Sequence, residues 1–223
     1  MTQRTVILIP ALNAERTLST LLDALLVNTV REDILVINDG STDSTEAIAR
    51  SRQVACISED RNRGKGSALS SGFRALREDK TIDSVITMDA DLQHDTRDIQ
   101  SFVKCRAETR SNLILGRRRI VGTHMPLARR LSNILTSLLV SARTGVRIRD
   151  SQCGFRLIGR EVLEKVEIES QGFEAETELL LKACKAGFMV ASVPVRTVYN
   201  GEPSHMTHWN TTRRFIQTLM KEL

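Results

Sequence analysis

Short apolar runs alternate with helix-period stripes along the first half of the chain. Val6 to Ile9 is a strand-like run, and Leu18, Leu21, Leu22, Leu25 and Leu26 recur at helical spacing within Glu15 to Leu26. Further strands are predicted at Ile34 to Ile37, Val54 to Ile57, Ser84 to Met88 and Leu113 to Leu115, with a helix over Lys65 to Leu76. Another helix should open after Asn38-Asp39-Gly40-Ser41-Thr42-Asp43, capped by Ser41 or Asp43. Repeated βαβ order predicts an α/β fold with a Rossmann-like, mostly parallel central sheet and helices on both faces. Ligands of such sheets collect at the carboxyl ends of the strands, where Asp39, Asp89 and Asp91 all fall.

The second half is less regular. Leu127, Leu131, Ile134, Leu135, Leu138 and Ala142 form a helical stripe, with Arg129, Arg130 and Arg143 elsewhere on the helix. His208 to Leu223 sets Trp209, Phe215, Ile216, Leu219 and Met220 among basic residues. Such stripes either face the core or lie in a bilayer surface; for each helix alone core packing is slightly ahead, and a membrane-resident substrate would bring bilayer docking level with it. A third helix, opened by Gly172-Phe173-Glu174-Ala175-Glu176-Thr177-Glu178, carries acids that would favour its positive end.

Composition narrows the setting. The 223 residues fit one globular domain without linker, repeat or low-complexity run. No apolar stretch reaches membrane-spanning length and no secretory signal precedes the first strand, so a cytoplasmic protein with at most peripheral membrane contact is expected. Cys56, Cys105, Cys153 and Cys184 are scattered, which predicts reduced thiols and no zinc site. The four histidines have no ligand spacing with them and read mostly as surface residues. A net charge of +5 suggests an anionic partner, and 4% aromatic content argues against stacking on single-stranded nucleic acid.

The central chemical signal is Val85-Ile86-Thr87-Met88-Asp89-Ala90-Asp91-Leu92-Gln93, an apolar strand that stops on two carboxylates. Unpaired charge at a buried strand end calls for a cation, and hard oxygen ligands suit Mg²⁺ or Mn²⁺. Two solvated aspartates in a turn are the plainer alternative. With Asp39 on a neighbouring strand end able to bond a ribose or base, the implied ligand is a nucleotide diphosphate. No Walker or G-x-G-x-x-G motif follows a strand, which disfavours ordinary NTPases and dinucleotide enzymes. Arg61-Asn62-Arg63-Gly64-Lys65-Gly66 brings three cations to a helix start, as an anion-facing loop or a solvated turn.

Ile9-Pro10-Ala11-Leu12-Asn13, Val36 to Asp43, Asn62-Arg63-Gly64-Lys65-Gly66 and Met88 to Gln93 together resemble family 2 glycosyltransferases of the GT-A fold. Asp150-Ser151-Gln152-Cys153-Gly154-Phe155-Arg156 is similar to a segment of the dolichyl- and polyprenyl-phosphate sugar synthases in that family. The resemblance implies a donor pocket with Pro10, Ala11, Asn13, Asp39 and Gly40, and diphosphate contacts near Asn62, Lys65, Asp89 and Ala90. Asp89, Asp91 and Gln93 would hold the metal, with Asp91 catalytic. Arg117 and one of Arg129 or Arg130 would receive an acceptor phosphate, Asp150 and Gln152 would line the acceptor pocket, and Glu174 or Glu176 would be the reserve base. Residues 1–116 would form the nucleotide-sugar half and 117–223 the acceptor half with its C-terminal amphipathic helix. Two departures stand out. Ala14 follows Asn13 where many relatives have glutamate, so Glu15 receives no base-binding role, and His205 is the obvious candidate in Tyr199 to His205, where relatives carry a basic residue.

The chemistry fits that family. A departing nucleoside diphosphate needs its charge stabilised. A sugar hydroxyl needs a general base, whereas a phosphate monoester is already ionised near neutral pH and needs arginines. The expectation is therefore inverting hexosyl transfer from a UDP- or GDP-sugar to a polyprenyl phosphate at the cytoplasmic membrane face. Alternatives are transfer to a sugar hydroxyl, nucleotidyl transfer with a pyrophosphate product, and a non-catalytic nucleotide-sugar-binding protein.

Overall fold

The computed structural model describes residues 4–118, 127–197 and 208–221; side chains at 127–129, 208–213 and 216 fall outside that description. The strands are β1 (Arg4–Ala11), β2 (Ile34–Asn38), β3 (Ala55–Ser58), β4 (Ile82–Thr87), β5 (Leu113–Arg118), β6 (Arg156–Gly159) and β7 (Val190–Val195). They form one sheet in the order β3-β2-β1-β4-β6-β5-β7. β1 to β4 pair in parallel, β5 pairs parallel to β7, and β6 runs antiparallel between β4 and β5.

The helices are α1 (Leu18–Leu26), α2 (Thr45–Ser51), α3 (Lys65–Glu78), α4 (Ile99–Thr109), α5 (Leu127–Thr144), α6 (Arg160–Lys165), α7 (Ala175–Lys185) and α8 (His208–Lys221). Period-two alternation along the strands splits the core into two layers. Val6, Leu8, Val85, Leu113 and Leu115 pack with Phe73 of α3, Leu163 of α6 and Leu180 of α7. Ile7, Ile9, Ile86 and Ile114 pack on the other face with Leu22 of α1 and Phe102 of α4. No helix among the described residues is long and apolar enough to cross a membrane.

α5 corrects the core-packing expectation. Its apolar stripe faces outward, with Leu131, Leu135 and Leu138 between 59% and 66% exposed, while Asn133, Ser137 and Val140 are buried. The inversion has a physical cause in the following segment, whose main chain needs partners inside. Ser141 Oγ accepts from the Ile148 N–H at 2.8 Å, and Ser137 Oγ accepts from the Ser151 N–H at 3.0 Å. α8 follows the expectation more closely, with Phe215 and Thr218 buried and Met220 exposed.

Candidate functional site

β1, β2 and β4 deliver their last residues to one end of the sheet, and the loops there are welded by side chains. Asp39, at the end of β2, accepts from the Arg63 N–H at 2.9 Å and the Gly64 N–H at 2.8 Å. Gly40 has φ +67°, and a Cβ there would collide with the main chain of Arg61 and Asn62. Asn62 Oδ1 accepts from Gly64 N–H, and Asn13 Oδ1 accepts from Thr42 N–H, both at 2.9 Å. Asn13, Asp39 and Asn62 thus hold loop geometry beside Pro10 and Ala11. Glu15 accepts from Ser44 N–H at 3.3 Å.

At the end of β4, Asp89 and Asp91 sit beside Lys65, the first residue of α3. Lys65 Nζ is 2.5 Å from Asp89 Oδ1 and 2.8 Å from Glu176 Oε1. Burial opposes the Lys65 charge, but the carboxylates of Asp89 and Glu176 outweigh it and hold the ammonium above the usual lysine range. Burial likewise opposes the Asp89 charge, and Lys65 and His94 overcome it and hold that carboxyl well below the usual range. Asp91 goes the other way, pushed up by burial and then by the adjacent Asp89 charge. Gly154 forms the floor, where a Cβ would stand 2.7 Å from Asp89 Oδ2, 2.8 Å from Glu176 Oε1 and 2.9 Å from Lys65 Nζ.

The carboxylate pair suits a divalent cation. Among the described residues no group of three or more His, Cys, Asp or Glu could cage a metal alone. Mg²⁺ and Mn²⁺ do not require one, because they bind through one or two carboxylates and complete their shell with phosphate oxygens and water. The raised Asp91 carboxyl marks negative charge crowded at a buried point, which such an ion would relieve. Gln93 meets the pair through its main-chain N–H, which donates to Asp91 Oδ1 at 2.9 Å. Ala90 is buried between the two aspartates.

On the acceptor side the expected residues separate. By strand register, Thr87, Arg156 and Leu115 lie side by side across β4, β6 and β5. Arg117 therefore stands level with Asp89, two strands away, or about 10 Å along the sheet. Both share the alternation phase of the face covered by α3 and α7. Asp150 is buried with its carboxylate spent on Arg118, whose Nε and Nη2 donate at 2.8 and 2.9 Å, and on Asn133 Nδ2 at 3.1 Å. Burial opposes this charge, yet Arg118 holds the carboxyl below its usual value. Asp150 thus braces the end of β5, and Gln152 follows it, its N–H donating to Asp150 Oδ1 at 3.3 Å. Glu174 accepts from Gly172 N–H at 3.2 Å and lies 3.8 Å from Arg214 Nη1. Arg130 is half-buried on α5; the Arg129 side chain, Arg119, His124 and His205 lie outside the described residues.

Three residues escaped the sequence reading. His94, expected at the surface, is 8% exposed, stacks on Phe155 at 5.0 Å and brings Nε2 to 3.7 Å from Asp89 Oδ2. Its place directly after Leu92-Gln93 was the available signal. Buried Arg156 donates to the carbonyls of Cys153 at 2.8 Å, Ser151 at 2.7 Å and Glu176, tying the 151–156 turn to the start of α7. Gly154 carried its signal only in company with the side chains that crowd it. Cys56, Cys105, Cys153 and Cys184 are free thiols, and burial pushes Cys153 up to about 12.

Known proteins resemble this chain in sequence and fold. The chain is 26% identical to a UDP-N-acetylglucosamine–dolichyl-phosphate N-acetylglucosaminyltransferase of Methanococcus voltae, over 86% of this chain and 85% of that one. It is 29% identical to a polyprenol monophosphomannose synthase of Mycolicibacterium smegmatis, over 87% of this chain and 77% of that one. Glucosyl-3-phosphoglycerate synthase from Mycobacterium tuberculosis, solved with Mn²⁺, UDP and phosphoglyceric acid, superposes with a TM-score of 0.80 at 21% identity, covering 99% of this chain and 78% of that one. This likeness establishes the GT-A fold. The model of the family described as "Glycosyl transferase family 2" matches residues 6–167, and the chain belongs to that family.

Proposed function

We propose that the protein transfers a hexose from a nucleotide sugar to a polyprenyl phosphate, with inversion at the anomeric carbon. The observation that carries this reading is the contrast between Arg117 and the candidate bases. Arg117, level with Asp89 on the same face, has no carboxylate partner among the described residues, whereas Glu176 is paired with buried Lys65 and Glu174 faces Arg214. A site with an available arginine and committed carboxylates suits a nucleophile that arrives ionised. The names of the relatives from Methanococcus voltae and Mycolicibacterium smegmatis support a lipid phosphate.

In this reading Pro10 and Ala11 bound the nucleoside pocket while Asp39, Gly40, Asn13 and Asn62 hold its loops. Lys65 balances the diphosphate charge from the start of α3. Asp89 and Asp91, with Gln93, would hold Mg²⁺ or Mn²⁺, which when bound neutralises the departing diphosphate. Arg117 and Arg130 would hold the acceptor phosphate opposite the leaving group. Residues 1–116 then form the donor half and 117–223 the acceptor half. The outward leucines of α5, on a helix with three arginines and no acid, favour peripheral contact with the cytoplasmic face of a membrane.

The test is transfer of labelled sugar from UDP-glucose or GDP-mannose, with Mg²⁺ or Mn²⁺, into the lipid fraction in the presence of undecaprenyl phosphate. Label in that fraction is expected. Release of nucleoside diphosphate without lipid product would overturn the acceptor assignment in favour of a hydroxyl.

A further inference from the structure

Between Arg117 and Arg149 the chain carries eight arginines and not one aspartate or glutamate. Arg117, Arg147 and Arg149 line one groove of about 370 Å³, closed along one side by Ser192 of β7. Because Leu115 pairs with Ser192 and Arg117 with Pro194, the groove begins level with Asp89 and runs down β5 and β7.

The segment that supplies Arg147 and Arg149 is firmly built. Ile148 and Asp150 are 6% and 2% exposed while Arg147 and Arg149 lie outside, an alternation that sends both guanidinium groups the same way. The main chain is pinned where Ile148 N–H donates to Ser141 Oγ, and Asp150 grips Arg118, the neighbour of Arg117. With the Asp150 charge spent there, none of the three groove arginines has a carboxylate partner among the described residues. Like charges held together on a braced scaffold repel one another until an anion enters. A phosphate monoester, doubly charged and presenting three acceptor oxygens, matches the forked donors of arginine.

We propose that this groove is a phosphate-monoester site in which Arg147 and Arg149 join Arg117, and that the acceptor's phosphate is what it holds. The second clause rests on the proposed function; binding of a phosphate monoester does not.

The experiment is calorimetric titration of the donor-free protein with geranyl phosphate, with inorganic phosphate as competitor and vesicles containing anionic lipid as a separate arm. Arg147→Ala and Arg149→Ala should each weaken geranyl phosphate binding about tenfold, while Arg143→Ala, exposed on α5 outside the groove, should leave it unchanged. If the alanine variants lose their cooperative thermal transition, Arg147→Lys/Arg149→Lys keeps the charge and loses the fork, and should still weaken binding severalfold. Inorganic phosphate should displace geranyl phosphate from the wild type. Unchanged geranyl phosphate affinity in the folded variants would overturn the site. Loss of vesicle binding alone would transfer the groove to a lipid headgroup and overturn the acceptor assignment. Binding that depends on Arg147 and Arg149 in a protein that never glycosylates a prenyl phosphate would keep the site and remove only the acceptor reading.

Discussion

The donor and acceptor sides of the sheet are charged in opposite senses. On the donor side of the proposed reading Asp89, Asp91 and Glu176 crowd around Lys65, with His94 against Asp89. On the acceptor side Arg117, Arg147 and Arg149 share a groove whose one carboxylate, Asp150, is already bound by Arg118. Among the described residues, each side is left with charge that its own side chains do not neutralise. The difference is what the proposed function draws on: in that reading the first side receives a cation accompanied by a diphosphate, and the second a phosphate. It also separates two kinds of carboxylate. Asp91 is raised by its surroundings and suits a metal, whereas Asp150 is lowered by Arg118 and braces the fold.

The largest effect should come from the donor side. Asp91→Ala is expected to lower metal-dependent transfer by about a thousandfold with little change in thermal midpoint; full activity would remove the metal assignment. Asp150→Ala should reverse that pattern by removing the carboxylate that pairs with Arg118, which is 16% exposed. Chemical denaturation should show a loss of about 3 kcal/mol, and a loss near zero would mean that Asp150 does not brace the acceptor side.

Arg117→Ala sharpens the comparison at intermediate size. It should raise the acceptor KM about tenfold and leave the donor KM unchanged, as steady-state kinetics with each substrate varied would reveal. The smallest effect lies at the edge of both regions, where exposed Glu169 is bound by Lys221 and Lys182 and held at about 2. A depressed carboxyl contributes stability above its unfolded pKa of 4.5, and that contribution disappears as pH falls toward about 2. Lys221→Ala should therefore narrow the stability difference between pH 6 and pH 3, by an amount kept small by solvent screening.

The first half of the fold was legible because each strand and helix there keeps a single period. Strands from β1 to β4 and α3 lie within a residue or two of the expected positions, and β5 starts where expected but runs three residues further. β6 was hidden because Arg156–Gly159 is four residues long and follows a turn-like Asp150 to Gly154. β7 holds Pro194, which disguises an edge strand. The facing of α5 stayed open because hydrophobic pattern cannot reveal that Ser137 and Ser141 are needed inside to satisfy the backbone of residues 148–151.

The candidate site divides in the same manner. Asp89, Asp91 and Lys65 carry their chemistry in local motifs and could be read directly. Asp39 and Asn13 bond to main-chain N–H groups of distant loops, which leave no mark on residue type. Asp150 lines the groove beside Arg117, but its pairing with Arg118, 32 positions away, leaves no mark on the local sequence.

The central claim is that an already ionised phosphate oxygen attacks the sugar. Phosphorus-31 spectroscopy of a reaction containing wild-type protein, a competent nucleotide sugar, Mg²⁺ or Mn²⁺ and geranyl phosphate tests it most directly. The account predicts that the monoester resonance gives way to a sugar phosphodiester, in step with release of the nucleoside diphosphate. Consumption of the nucleotide sugar while the monoester resonance stays unchanged would contradict it.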